Sequence, residues 1–270
     1  KIKFFMKKIT LLLVLVLIVS CSTSDDSGGT PIVETSNYFP LTLNSYWTYN
    51  NDNEQGSTRD SLYAASNEVL NGLNYTKLIA SDPVSGFMTS MMSQSLLRTT
   101  ESKLLLNGEF GTPPIAGFPD INIPLIDLII YDKEAENGTV LSEVTGEIEE
   151  IISEIPISIE YTISTIQGEI LEEGYGDFTD NKVLISSIKV NLSISANIEI
   201  LGTIIQIPIL QAQDVVLSKN YFASSVGLIY SDSLIEYQLE DLSSLGIDLP
   251  IPAEASSIAT QNIDTYQIEN

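Results

Sequence analysis

The chain has 270 residues, of which 43% are hydrophobic, enough for one large domain or two small ones with a genuine core. It carries 12 Lys and Arg residues against 36 Asp and Glu residues and no histidine, so the formal net charge is −24. This charge repels phosphate backbones and anionic headgroups, which argues against nucleic-acid binding and against attraction to a membrane by charge. The lack of histidine excludes Ser-His-Asp and Cys-His catalytic arrangements and an ordinary zinc site.

The first predicted element is a lipoprotein signal peptide over residues 1–20. Lys7 and Lys8 form a positive region, and the apolar block at residues 9–19 has the length of a secretory signal. It is shorter than the roughly 20 residues that a spanning helix needs. The block ends in "IVSC" at residues 18–21, which resembles the lipobox of bacterial lipoproteins. The resemblance implies cleavage before Cys21, a diacylglycerol on its sulfur and a further acyl chain, such as palmitate, on its amine.

The same segment leaves two alternatives open. Cys21 is the only cysteine, and the other interpretation is an ordinary cleaved signal beside a chance cysteine. In either case the mature domain forms no internal disulfide, so its stability depends on packing. The start is either Lys1 or Met6, since Met-Lys-Lys opens many such signals.

Residues 21–37 are predicted to form a flexible tether, because they are rich in Ser, Thr, Asp and Gly and poor in apolar residues. Within them "SDD" at residues 24–26 resembles the acidic export signal of Bacteroidota-type lipoproteins. A solvated linker explains the three residues nearly as well. We expect an outer-membrane location with exposure at the cell surface.

Residues 38–270 are predicted to form a mainly β, antiparallel domain with few helices, because apolar and polar residues alternate. Residues 189–200 show this most fully, with every even-numbered residue apolar and every odd-numbered one polar. After a Leu-Gly pair the alternation resumes over residues 205–217, with Val215 and Leu217 expected on one face. The two runs predict the arms of a long hairpin. Residues 155–163 form a third alternating run.

Turn and edge signals separate these runs. Three Asn-Gly pairs supply the positive φ that tight hairpin turns need: Asn71-Gly72, Asn107-Gly108 and Asn137-Gly138. Four prolines stand between branched aliphatic residues and are interpreted as strand starts, bulges or edges: Pro124, Pro156, Pro208 and Pro250.

Two segments allow more than one interpretation. Residues 142–156 fit a helical stripe about as well as a strand, and Pro156 would end such a helix. Asn51, Asn53 and Gln55 have the spacing of a calcium-binding EF-hand loop, but Leu62 stands where a bidentate Glu is required. A turn is the better interpretation of that loop.

Two signatures resemble a largely uncharacterised group of exported, Bacteroidota-type outer-membrane lipoproteins. The first is "FPL" at residues 39–41 followed by Trp47 and Tyr49, and the second is "YFASSVGLI" at residues 221–229. The resemblance implies an antiparallel β domain, an open or half-closed barrel, and no known catalytic residues. From the residues themselves, Trp47 and Tyr49 are expected to fill a core, and Gly227 to allow a bulge or a close backbone approach.

The functional hypothesis is a lipid-anchored envelope protein with a binding or surface-structural role and no catalysis. Its site residues are Cys21 for lipid attachment and, by similarity to the "DSL" acceptor pattern of Bacteroidota O-glycosylation, Ser61 and Ser233. No catalytic, cofactor or metal residue is expected, and the expected partner is the membrane, reached through the lipid. One alternative is a carrier of lipid or another apolar ligand in a half-barrel cavity. Another is a carboxylate-dependent glycoside hydrolase.

Overall fold

The computed structural model describes residues 37–93, 95–111, 121–200, 202–243 and 250–269. Residues Ser36–Asn270 form one compact unit with its own core. The predicted signal peptide and Cys21 lie outside the described residues. Within those residues no helix is both long enough and apolar enough to cross a membrane.

The prediction of a mainly β, antiparallel domain is confirmed. The described residues contain twelve strands and one short helix, α1 (Phe87–Ser93), which lies between the third and fourth strands. The twelve strands are β1 (Tyr46–Asn53), β2 (Gly56–Leu70), β3 (Leu73–Ala80), β4 (Leu96–Thr99), β5 (Lys103–Gly111), β6 (Asn122–Asp132), β7 (Val140–Ile152), β8 (Ile155–Leu171), β9 (Val183–Ile200), β10 (Thr203–Ala223), β11 (Gly227–Gln238) and β12 (Glu254–Gln267).

All twelve strands belong to one sheet in the order β6-β5-β4-β3-β2-β1-β12-β11-β10-β9-β8-β7. The sheet curls into a nearly closed barrel, so the expectation of an open or half-closed barrel is met with closure further advanced than expected. Within the described residues the sheet has one break, a seam between the two end strands, β6 and β7. Closure matters because an open sheet edge would present unpaired backbone groups to other chains.

Side chains bridge part of the seam where the strand ladder does not. The backbone N–H of Ile129 donates to the Ser142 hydroxyl at 3.0 Å, and Thr165 donates to the Ile129 carbonyl at 2.6 Å. The Gln167 side-chain oxygen accepts from the backbone N–H of Asp132 at 3.0 Å. These bonds satisfy backbone groups of β6 that would otherwise lack partners.

The predicted long hairpin is β9 and β10, which pair from Ile200 and Thr203 at its tip. The expectation that Val215 and Leu217 share a face is wrong. Register shifts near Asp214 bury both Val215 and Val216 and turn Leu217 outward. Each irregularity of this kind offsets the two-residue period.

Residues 142–156 form a strand and a turn, so the helical alternative is wrong. β7 pairs with β8, and Ser153 and Glu154 make the turn with φ of 49° and 69°. β8 pairs with β7 on one side and with β9 on the other, and isoleucines along β8 are buried. Tertiary packing therefore decides between two patterns that the local sequence leaves equal.

The three Asn-Gly pairs that were predicted to form turns have different outcomes. Asn71-Gly72 makes the tight turn between β2 and β3, with φ of 52° and 80°. Asn137-Gly138 lies in the connection from β6 to β7, with Gly138 at φ 87°. The third pair, Asn107-Gly108, is not a turn, because it lies within β5, where a Cβ on residue 108 would collide with Ser95.

Three of the four prolines occupy the predicted kinds of position. Pro124 lies on the end strand β6, Pro156 is the second residue of β8, and Pro208 adjoins a register shift in β10. Pro250 lies outside the strands. Positions of this kind require no ladder hydrogen bond from the proline nitrogen.

One end of the barrel is packed with aromatic rings, and we call it the filled end, defined by Phe39, Trp47, Phe222 and Gly227. Trp47 is fully buried, stacks on Phe39 at 4.9 Å between ring centroids, and donates its indole N–H to the Val226 carbonyl at 2.6 Å. Gly227 has φ 119°, and a Cβ there would lie 2.9 Å from the Trp47 nitrogen. The expectation of a close backbone approach at Gly227 is confirmed.

Candidate functional site: a cavity at the opposite end of the barrel

A cavity of about 1200 Å³ occupies the end of the barrel away from Trp47. Its wall includes the last residue of β1, the last residues of β5 and β11, and the first residues of β6 and β12. We call this region the cavity end and define it by Asn53, Phe110, Asn122, Tyr237 and Ala255. These residues stand on five strands, so the barrel itself forms the wall.

The cavity exists because the residues that point inward from β12 are small. Ala255, Ser257 and Ala259 line it, whereas the larger Ile258 points outward and is 56% exposed. Ser233 faces the same space from β11. Small side chains at alternate positions leave volume that leucine or isoleucine would fill.

Helix α1 closes one side of the cavity with Phe87 and Met91. It is held by Asp60, whose buried carboxylate accepts from the backbone N–H groups of Ser85 at 3.0 Å and Gly86 at 2.7 Å. A carboxylate that accepts the free N–H groups before a helix stabilises its start.

A Cβ at residue 86 would lie 2.7 Å from the side-chain oxygen of Asn51 and would collide with Gln261, so both side chains would have to shift to admit it. The Gln261 amide in turn donates to the Thr89 hydroxyl of α1. The helix and its support were not predicted from the sequence. Asp60 lies on β2, some 25 residues before the start of α1, so no local sequence pattern marks this contact.

A cluster of polar residues lies beside the cavity wall, where the register of β5 and β6 shifts. We call it the polar cluster and define it by Asp127, Tyr75, Asn107 and Arg98. The Asp127 carboxylate accepts from the Tyr75 hydroxyl and from the Asn107 amide, each at 2.8 Å, and lies 3.5 Å from the Arg98 guanidinium. Asp127 itself has φ 50°. The hydrogen bond from Tyr75, followed by Asn107 and the Arg98 charge, holds the pKa of Asp127 below its usual value against the opposing effect of burial.

Hydroxyl groups are the main polar feature of the wall formed by β11. The Ser233 hydroxyl donates to Ser218 at 2.9 Å and belongs to a buried network with Asn220 and Ser231. Tyr237 lies four residues further along the same face and is 6% exposed. Its hydroxyl is buried and has no hydrogen-bond partner in the described part of the chain, and burial raises the pKa of Tyr237.

Charge is almost absent from the cavity wall. Among the described residues that line it, Glu109 is the only charged one, and its side chain is exposed. The basic residue nearest in sequence to the wall, Arg98, is already paired with Asp127. The described lining therefore offers an anion no partner of opposite charge.

The residues predicted as sites do not come together. Cys21 lies outside the described residues, so lipid attachment stays a prediction. Ser61 is half-buried on β2, with its hydroxyl 2.9 Å from that of Ser81, while Ser233 is 2% exposed in the cavity wall. O-glycosylation of either serine stays a prediction, and at Ser233 the sugar would have to enter the cavity or be added before folding.

The calcium-like loop is a tight hairpin. Asn53 and Gly56 pair across it, and the Asn53 side chain accepts from the backbone N–H of Gln55 at 2.8 Å. In the portion of the chain that is described, no group of three or more acidic or cysteine side chains is placed to hold a metal ion.

Fold and cavity together define the class of structure: a nearly closed antiparallel barrel of twelve strands with a cavity at one end. Comparison of the chain with protein-family models, with curated proteins and with solved structures finds no match. What the cavity binds must therefore be argued from its own residues.

Proposed function

We propose that this chain is a lipid-anchored protein of the cell envelope that binds an apolar ligand, without catalysis, in the cavity end of its barrel. The observation that carries the proposal is the cavity of about 1200 Å³. Ligand sites are concave and mostly apolar with a few polar groups, and pockets for drug-sized ligands measure about 300–1,000 Å³. Among the two roles expected from the sequence, surface structure and ligand binding, the cavity favours binding.

The lining supports an apolar ligand. Phe87, Met91, Phe110, Leu125 and Ile235 contribute rings and aliphatic chains to the cavity wall. Burying apolar surface of a ligand against such groups contributes about 25 cal/mol per Å² before the cost of immobilising it. No chemical step is assigned to the cavity.

Attachment to the membrane is proposed through lipid on Cys21, in the outer membrane and exposed at the cell surface. The support is the "IVSC" sequence and the acidic residues that follow it. A single acyl chain holds a protein only marginally, whereas two or more hold it stably. A net charge of −24 offers an anionic membrane no attraction of its own.

Native mass spectrometry of protein purified from its own cells tests ligand binding. We expect one non-covalent adduct per chain that is lost on denaturation and extracted into organic solvent. A chain that shows no adduct, and that also fails to bind any added apolar probe, would contradict the proposal.

Attachment is tested separately with Cys21→Ser. We expect loss of radiolabelled palmitate incorporation and release from the membrane fraction. If both remain as in the unaltered chain, the anchor proposal is wrong, while ligand binding stands on its own result.

A further inference from the structure

We propose that the ligand is uncharged, with an apolar body and a hydrogen-bonding group, and that the Tyr237 hydroxyl is the partner of that group. This inference rests on the proposed function, since it specifies the chemistry of what the cavity holds. Fatty acids and other anionic lipids are thereby excluded, and long-chain alcohols represent the favoured class.

The charge distribution carries the first half of the proposal. The described lining contains no Lys or Arg, and its one charged residue, Glu109, is acidic. A carboxylate that enters such a cavity loses its hydration and gains no opposite charge. The whole-chain charge of −24 adds repulsion at longer range.

A cationic ligand is not favoured either. Glu109 is exposed at the wall, so water and salt screen its charge. The remaining polar groups of the lining are neutral hydroxyls and amides, such as Ser233, Ser257 and Asn122. Neutral groups of this kind bind hydroxyl, ether or amide groups of a ligand.

Tyr237 supports the second half of the proposal, the hydrogen bond to the ligand. It lies on the same face of β11 as Ser233 and Ile235, all three of which line the cavity. Tyr237 is 6% exposed, and its hydroxyl has no partner among the described residues. Buried hydroxyls are nearly always paired, so we assign the unpaired hydroxyl of this wall residue to the ligand, which reaches it when the ring turns toward the cavity.

Among the described residues, Tyr49 also has a buried hydroxyl without a partner, but its position differs from that of Tyr237. Tyr49 is fully buried in the main core and does not line the cavity. A ligand in the cavity therefore has Tyr237 within its wall and has no access to Tyr49. Among the described residues, Tyr237 is the one wall residue whose hydroxyl is both buried and unpaired.

The first experiment measures charge selectivity in the unlipidated chain beginning at Ser22, which contains the whole compact unit. The neutral fluorescent probe N-phenyl-1-naphthylamine is bound and then displaced by dodecanol or by dodecanoate at pH 8, which have equal chain lengths. We expect dodecanol to displace the probe at a concentration at least about tenfold lower. Equal displacement by dodecanoate overturns the uncharged ligand but leaves the proposed binding function intact. Failure of the probe to bind at all overturns both.

The second experiment uses Tyr237→Phe, which removes only the hydroxyl. We expect dodecanol affinity to fall about fivefold, with the affinity for the naphthylamine probe unchanged. Tyr46→Phe, on the outer surface and 37% exposed, is the matched control and should change neither affinity. Unchanged dodecanol affinity in Tyr237→Phe, or an equal loss for probe and dodecanol, overturns the assignment of Tyr237. Circular dichroism spectra of the variants confirm that the comparison is made between folded chains.

Discussion

The two ends of this barrel are built from the same alternating strands and differ in what the inward residues occupy. At the filled end, Phe39, Trp47 and Phe222 pack ring against ring. At the cavity end, Ala255 and Ser257 point inward on β12 and leave space. Alternation determines which residues face the inside of a barrel, but side-chain volume determines whether that inside is a core or a binding site.

The difference extends to how polar groups are treated. At the filled end the Trp47 indole N–H is paired with a backbone carbonyl. At the cavity end the Tyr237 hydroxyl has no partner among the residues that the structure describes. An unpaired hydroxyl on a residue of the cavity wall is available to a ligand, whereas the unpaired Tyr49 hydroxyl in the core is not.

The largest expected effect comes from emptying the filled end. Trp47→Ala should lower the free energy of unfolding by about 3–5 kcal/mol, because it removes a buried ring and its hydrogen bond and leaves a cavity. Urea unfolding followed by circular dichroism measures it. Tyr46→Ala, one residue earlier and on the outer surface, should cost less than about 1 kcal/mol. Equal losses in the two variants would show that the filled end is not a tight core.

Gly227→Ala should cost about 3 kcal/mol, from left-handed backbone strain and from contact of the new methyl group with Trp47. Gly72→Ala is the matched control, because Gly72 has φ 80° but nothing within 4 Å of a Cβ. It should cost only the strain, about 1 kcal/mol. Thermal denaturation of both variants compares them, and equal costs would remove the packing contribution at Gly227.

Enlarging small inward residues contrasts the two ends directly. Ala64→Leu, in the buried core of β2, should cost about 1–3 kcal/mol by overpacking. Ser257→Leu should change stability by less than about 0.5 kcal/mol, since the cavity has room for the side chain. Chemical unfolding of both proteins under one set of conditions gives the two values. A loss at Ser257 as large as that at Ala64 would mean that the cavity end is as tightly packed as the core.

The smallest expected change in stability concerns the polar cluster around Asp127, beside the cavity wall. The pKa of Asp127 is lowered, chiefly by the Tyr75 hydrogen bond, so its ionised form stabilises the fold above an unfolded pKa of about 3.9. That stability is lost as pH falls through the lower folded value. Asp127→Asn should therefore cost about 0.5 kcal/mol at pH 7, a figure reduced for solvent screening of the half-exposed carboxylate, and nothing near pH 2.

Urea unfolding at pH 7 and at about pH 2 measures this dependence. Tyr75→Phe removes the main cause of the shift and should reduce the pH dependence in the same direction. If Asp127→Asn costs the same free energy of unfolding at both pH values, that cost comes from packing around residue 127, with no electrostatic contribution.

The sequence predicts the strands of this fold better than its interior. Alternation over residues 189–217 predicts the β9–β10 hairpin, but irregular register turns Leu217 outward, and no local pattern signals that change. The same limit applies to Asn107-Gly108, which has the composition of a turn and lies within β5.

The cavity lies mainly against β5, β6, β11 and β12, and the isoleucine-rich strands β8 and β9 contribute none of its described lining. Most inward isoleucines of β8 and β9 fill the core, so the long alternating runs predict packing and not space. Ala255, Ser257 and Ala259 are the real signal, but small residues on one face of a strand become meaningful only when the barrel partners are known. Helix α1 was missed because its support, Asp60, is distant in sequence.

The most direct test of the account compares two adjacent serines of β12 that differ only in the face they occupy. Ser257 lines the cavity, and Ser256 points outward and is exposed. The measurement is the equilibrium affinity of Ser257→Leu and Ser256→Leu for the neutral naphthylamine probe. The account predicts that leucine at 257 weakens binding at least about tenfold, by occupying ligand space, and that leucine at 256 has no effect. Equal affinities in the two variants would contradict binding inside the barrel.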